Sequence, residues 1–406
     1  MLPLSPAPRS RLRLLRAATA ALLLAGALSG HAATPEAEPD HDRFEQAVRQ
    51  AVTPAVASSL AGLKVLHLSG DVGPWLDTGL ALSPGQPVTL LMRGQVWWSR
   101  AARLSLSPAL AVWAQVGPQG EIFNGTRDTH GFVAADAGNL RLKLLPALSW
   151  TDPHGAYAGE PPAVNPDAGG GVSVAVLAWK PGTDVAAQLQ ALARHAPLAP
   201  WAQGELRRLA EGTVPPPAGW QYFWPLGRAE IFSRARPEAG DPEGGAIAVH
   251  THGDVGILQK DAPFALRPGT RLQWRWRVDA LPSALPEDSV PTHDYLSVAV
   301  EFDNGRDLSF VWSQGLPQGH AFACPLPAWQ QRETHLVTRS GTAGLGQWQA
   351  EEVDLLEAYR HAVGGPLPAR VTRVWLIANS VFQKHEGRAR FAGIALVDGQ
   401  RRLHVD

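Results

Sequence analysis

The stretch RLQWRWRVD, residues 271–279, alternates without a break: Leu272, Trp274, Trp276 and Val278 take one side, and Arg271, Gln273, Arg275, Arg277 and Asp279 the other. Side chains of an extended strand point alternately to opposite faces, so the pattern reads as a strand with one core face and one polar face. YLSVAVEF, residues 295–302, repeats it, with Leu296, Val298, Val300 and Phe302 opposite Tyr295, Ser297, Ala299 and Glu301. LSFVWS follows, ending at Ser313. Between the last two runs stands Asp303-Asn304-Gly305-Arg306-Asp307. Asn-Gly between alternating strands predicts a hairpin, because both residues tolerate positive φ. Residues 271–313 are therefore expected to form antiparallel sheet.

Outward from this stretch, 406 residues suffice for two domains with separate cores. The 36 basic and 37 acidic side chains nearly cancel, which removes the electrostatic case for a nucleic-acid partner. Fifteen Trp against four Tyr are unusual, but several fall on the apolar side of a strand, where packing accounts for them. Arg9, Arg11, Arg13 and Arg16 precede an apolar run from Ala21 to Leu28 and the small-residue site Gly30-His31-Ala32. This is the pattern of an export signal cleaved after Ala32, and it predicts a periplasmic or secreted protein. No later segment has the ~20 apolar residues of a membrane span. The single cysteine, Cys324, excludes an internal disulfide and is read as a structural thiol.

Residues 33–62 hold a processed end and a helical lead-in interrupted by Pro54. Residues 63–182 carry short strands, LKVLHLSG, PVTLLMRGQVWW, LAVWAQVG, NLRLKLL and VSVAVLAW, separated by Gly and Pro turns. Many short strands at such spacing predict a β-sandwich. Residues 183–218 read as a connector, two helices divided by Pro197 and Pro200 and then the stiff run Val214-Pro215-Pro216-Pro217. Residues 219–406 read as a second sandwich with one helix near Val353 to Val363. The expected class is all-β: two jelly-roll-like sandwiches with a short helical lead-in and connector.

Trp75-Leu76-Asp77-Thr78-Gly79, Ser83-Pro84-Gly85-Gln86 and Val116-Gly117-Pro118-Gln119-Gly120 make the first unit resemble the galactose-binding-like sandwiches of bacterial galactophilic lectins, over Leu63 to about Lys180. In such lectins a loop-held calcium bridges protein and sugar. Here Asp152, Asn165 and Asp167 stand in a loop broken by four prolines, short of the six to eight oxygens calcium needs, and no metal is expected there. GWQYFWPLGRAEIF, LQWRWRVDALP, HDYLSVAVEFDNGRDLSFVWS, RSGTAGLGQWQAEEVDLLEAY and VWLIANSVFQKHEGRARFAGI together resemble the bacterial domain-of-unknown-function family numbered three thousand and forty-seven, across Gly219 to Asp398. That resemblance implies a fold and an envelope setting and supplies no catalytic residue.

The polar sides of the strands name the candidate ligand residues: Arg275, Arg277, Tyr295, Ser297, Glu301, Arg373, Trp375 and Asn379, expected to line one side of a curved sheet. Guanidinium and carboxylate groups beside an aromatic plane suit a saccharide, bonding its hydroxyls or uronate carboxylates while a ring covers its C–H face. The same residues also fit a solvated sheet face with cross-strand ion pairs such as Arg277 with Glu301. Catalytic groupings are Glu301 with Asp279, or Tyr295 with His293 and Arg275, but no nucleophile motif accompanies them. His250-Thr251-His252-Gly253-Asp254, with His293-Asp294 approaching, starts a two-ligand metal pattern that short spacing does not complete. Residues 303–314 lack the acidic twelfth position of a calcium loop, where Gln314 stands. No cofactor is expected. Exported, non-catalytic glycan binding is the leading expectation, followed by a polysaccharide hydrolase or lyase acting on the second sandwich, and by a protein-interaction role.

Overall fold

The computed structural model describes residues 41–70, 74–100, 104–145, 149–157, 169–212, 214–242, 245–399 and 401–406. The export signal and its cleavage site lie outside the described residues, as do Asn165 and Asp167. The fold is all-β, with two sandwiches in succession.

The first sandwich sets the sheet Leu60–Ser69, Gly169–Trp179, Pro87–Ser99 and Leu104–Leu106, to which Thr129–Val133 also pairs, against Leu76–Leu82, Gly138–Leu144, Val112–Val116 and Ile122–Phe123. Val172, Val174, Val176 and Ala178 face the second sheet, packing with Val88, Leu90, Val112, Leu140 and Leu142. Ala175, Leu177 and Trp179 face the other way, onto four helices, one of them Pro54–Ser59 with its buried Val56. Burial on both sides explains why VSVAVLAW shows no polar alternation. His41–Ala51 contributes Phe44 and Val48 to that layer, Val185–Leu192 contributes Leu189 and Leu192, and Ala199–Glu211 contributes Ala202. The helices that join the sandwiches in sequence thus pack as a third layer of the first one. His130 is held between Phe123 and Phe132, its ring stacked 5.7 Å from Phe132. Burial pushes its pKa down to about 4 from 6.5. Between those values the unfolded chain binds the proton and the folded one does not, so stability falls as pH drops through the window, by about 2–3 kcal/mol from this group. Urea unfolding at pH 7 and pH 4.5 should show a smaller pH loss for His130→Gln than for the wild type.

The second sandwich packs a seven-stranded sheet on a six-stranded one. The first runs Gln221–Tyr222, Val255–Ala265, Arg370–Asn379, Tyr295–Phe302, Asp307–Ser313, Glu333–Ser340, Ala321–Ala323. The second runs Phe232–Arg234, Ile247–His252, Glu386–Val397, Arg271–Ala280, Gln349–Asp354, with Arg402–His404 on Glu386–Val397. Leu272, Trp274, Trp276 and Val278 are buried, as the alternation requires. The quoted strands do not share a sheet, however: Arg271–Ala280 lies opposite Tyr295–Phe302 and Asp307–Ser313, with Trp274 5.3 Å from Phe310 and Trp276 5.5 Å from Trp312 across the core. Residues 281–294 give the chain room to cross between sheets. The hairpin forms with only Gly305 at positive φ (+77°). The Gly305 amide donates to the Phe302 carbonyl and the Phe302 amide to the Arg306 carbonyl, so the turn carries a glycine bulge in place of a two-residue loop. Asp307–Ser313 then pairs in parallel with Glu333–Ser340. The Leu355–Ala362 helix is capped by Asp354, which accepts from the Leu356 and Glu357 amides.

Polar and apolar contacts join the two sandwiches. Arg127 Nε lies 2.5 Å from Asp254 Oδ2, both side chains buried, and Lys384 pairs with Asp128 at 3.0 Å. Leu110 reaches a cluster of the second sandwich, and Trp224 packs on the Trp113–Trp150 cluster of the first.

Candidate functional site

Strand register decides which candidate residues meet. Tyr295 pairs with Asn379, Ala299 with Trp375 and Glu301 with Arg373. Ala299 also faces Ser309 and Glu301 faces Asp307, while Ser309 pairs with His335 and Asp307 with Glu333. Tyr295, Ser297, Glu301, Arg373, Trp375 and Asn379 therefore share the outer face of the seven-stranded sheet. Arg275 and Arg277 do not join them: they stand on the outer face of the other sheet, on the far side of the core. The eight-residue grouping is split because alternation sorts residues between two faces of one strand without saying which sheet the strand enters.

The six residues do not line an open groove. Leu316, Cys324 and Trp329 from the segment after Ser313, together with Leu226 and Val381, lie over Tyr295, Ala299, Trp375 and Ile377 and make a second buried cluster. Trp375 is 1% exposed, with the Arg332 guanidinium 4.8 Å from its ring and Phe223 at 5.4 Å. Asn379 donates to the His293 carbonyl, and Ser297 is fully buried. At the margin Glu301 pairs with Arg373 at 3.2 Å, and Arg373 with Asp261 at 3.0 Å. The Arg277–Glu301 pair does not form; Arg277 binds Glu238 and Asp279 instead.

Beneath the covering segment lies a charged and sulfur-bearing cluster that short-range spacing gave no sign of. Glu333 accepts from the hydroxyls of Ser309 (2.8 Å) and Tyr295 (3.2 Å) through one oxygen. Its other oxygen is 3.7 Å from His335 Nε2. His293 Nδ1 lies 2.7 Å from the Glu287 carbonyl, which fixes the proton there and leaves Nε2 bare, 3.3 Å from Cys324 Sγ. The His293, Cys324 and His335 ligand atoms all lie within 4.8 Å of one another. Burial pushes both imidazoles down to about 3, and the neighbouring His335 lowers His293 further, since the two rings resist being charged together. Burial and then Glu333 push the Cys324 thiol and the Tyr295 phenol up. Burial and then Glu333 raise Asp307, which accepts from Arg332 at 2.9 Å, to about 8. Cys324 thus has a histidine neighbour 31 residues away in sequence. Its environment opposes a thiolate and so does not make a nucleophile by itself.

The outer face of the six-stranded sheet is open. Arg277 and Arg390 share Glu238, Arg390 also approaches Asp241, and Arg271 binds Glu352 together with Gln273. Arg275 differs. It is exposed, no carboxylate among the described residues lies within ion-pair distance, and its guanidinium sits 5.8 Å from the half-buried Trp348 ring. Trp348 lies in the loop immediately before the strand Gln349–Asp354, outside the strand alternation, so the pattern did not select it. Neither catalytic grouping is assembled: Asp279 and Glu301 belong to opposite sheets, and so do Arg275 and the Tyr295–His293 pair. His250 and His252 stand with rings 5.0 Å apart on the Ile247–His252 strand, joined by Glu211 and Glu386. Asp254 turns inward to Arg127 and Thr251, and His293–Asp294 lies in the other sheet's cover, so neither completes the His-x-His set.

Among the described residues no helix is long and apolar enough to cross a membrane. No curated protein matches the chain significantly. Among solved structures, the chain is similar to the N-terminal domain of EclA, a PllA-like lectin, at 16% identity and a TM-score of 0.21, covering 28% of this chain and 94% of that one. It is similar to the family 30 carbohydrate-binding module of Clostridium thermocellum cellulase Cel9D-Cel44B at 9% identity and a TM-score of 0.24, covering 45% and 93%. The family 11 carbohydrate-binding module from Clostridium thermocellum gives 11% identity and a TM-score of 0.24, covering 44% and 89%. Residues 236–395, which lie within the second sandwich and carry both sheet faces described above, match the family "Protein of unknown function (DUF3047)".

Proposed function

We propose that the chain is an exported, non-catalytic saccharide-binding protein of the bacterial envelope, with its contact surface on the outer face of the six-stranded sheet around Arg275 and Trp348. The observation that carries the reading is Arg275: an exposed guanidinium beside an indole, with no ionic partner among the described residues, on a face where the neighbouring arginines are paired. Its planar fork can bond a uronate carboxylate or adjacent hydroxyls, and the indole offers apolar surface to the sugar's C–H face. Uronate-bearing chains are favoured because a carboxylate supplies the counter-charge that Arg275 has from no described residue. The N-terminal Arg-rich and apolar pattern before Ala32 supports export.

The test is affinity electrophoresis of the chain from Ala33 on neutral and uronate-containing polysaccharides, with reducing-end release followed in the same samples. Retardation without release is expected, strongest on uronate chains. Arg275→Ala should weaken it about tenfold or more, the scale of a charged hydrogen bond, and Trp348→Ala should weaken it as well. Release of reducing ends would put an enzyme in place of a binding module. Retention unchanged in both variants would remove this face from the account.

A further inference from the structure

We propose that His293, Cys324 and His335, with the Glu333 carboxylate beside His335, form a buried site for a divalent ion of the zinc class, which pins the segments carrying His293 and Cys324 onto the seven-stranded sheet. The proposal is independent of saccharide binding, since it concerns the opposite side of the second sandwich.

Zinc bonds of about 2.0–2.3 Å to nitrogen, oxygen and sulfur put neighbouring ligands of a tetrahedron about 3.3–3.8 Å apart. Here His293 Nε2 to Cys324 Sγ is 3.3 Å, and His335 Nε2 to Glu333 Oε2 is 3.7 Å. The supporting contacts are of the kind that orient metal ligands. The Glu287 carbonyl takes the His293 Nδ1 proton and aims Nε2 at the thiol, while Tyr295 and Ser309 hold the far oxygen of Glu333.

The independent sign of a ligand is His335. It is 0% exposed, and neither ring nitrogen has a hydrogen-bond partner among the described residues. A buried imidazole left in that state costs a few kcal/mol, which coordination by Nε2 would offset. Charge also closes: on binding, the thiol loses its proton to solvent, and one thiolate plus one carboxylate neutralise a doubly charged ion out of water. His293 comes from the crossing between sheets, Cys324 from the cover, and Glu333 and His335 from one strand, so the ion ties three segments together.

The experiment is zinc titration of the full mature chain after chelator treatment, with bound metal measured by mass spectrometry after dialysis and then repeated with Co²⁺. About one ion per chain is expected, together with the thiolate-to-cobalt charge-transfer absorption that requires sulfur ligation. Cys324→Ala should abolish that absorption, and Cys324→Ala or His335→Phe should lower affinity by at least about tenfold. His250→Ala with His252→Ala should leave both signals intact. Should the core variants fail to fold, the cobalt spectrum of the wild-type chain still decides. No retained metal overturns the proposal. So does cobalt bound without the thiolate absorption, or binding lost only in the His250/His252 variant.

Discussion

Arg127→Ala should destabilise the protein by about 3–5 kcal/mol, because it strands a buried carboxylate. Asp254 is 0% exposed and its Oδ2 lies 2.5 Å from Arg127 Nε. Its other oxygen accepts from the Thr251 hydroxyl and the His252 amide, so the carboxylate cannot turn out to solvent without undoing the turn after Ile247–His252. Arg127 comes from the first sandwich and Asp254 from the second, which makes the pair a joint between them. An exposed pair such as Arg360–Glu357 gives the contrast: its removal should change stability by less than about 1 kcal/mol. Urea unfolding of both variants, with Asp254→Asn and the Arg127→Ala/Asp254→Asn double variant to close the cycle, measures the difference. A loss below 1 kcal/mol for Arg127→Ala would mean that Asp254 finds another cation or water.

Trp375→Ala should cost about 3–5 kcal/mol as well, and should leave saccharide retention of the folded fraction unchanged. Strand alternation selected Trp375 as a ligand platform. In the folded chain its ring is enclosed by Phe223, Trp329, Ile377 and the Arg332 guanidinium. Truncation removes that apolar area and opens a cavity under the covering segment, whereas Trp348→Ala acts on a half-buried loop residue and should cost far less. Thermal unfolding separates the two tryptophans from each other, and retention assays separate them in the opposite sense. Loss of retention in folded Trp375→Ala would reinstate the seven-stranded face as the binding surface.

Local periodicity and turn chemistry carry information about one strand at a time, and this chain uses both plainly. The strict alternation of residues 271–279 determined which four side chains enter the core. Asn304-Gly305 determined a hairpin, whereas the cover on both sides of Val172 to Trp179 came only from the fold. An all-β fold of sandwiches follows from those features because each strand must bury its apolar face against another layer. The tertiary structure alone decided what covers each polar face. Tyr295, Ser297, Trp375 and Asn379 alternate as a solvated row would, yet Leu316, Cys324 and Trp329 fold back over them, while Arg275 on the opposite sheet stays open to solvent. The same long-range folding brings His293 beside Cys324 and places Glu333 and His335 beneath them. No periodicity registers that meeting, because loop closure, not strand geometry, sets which distant segments lie on a sheet face.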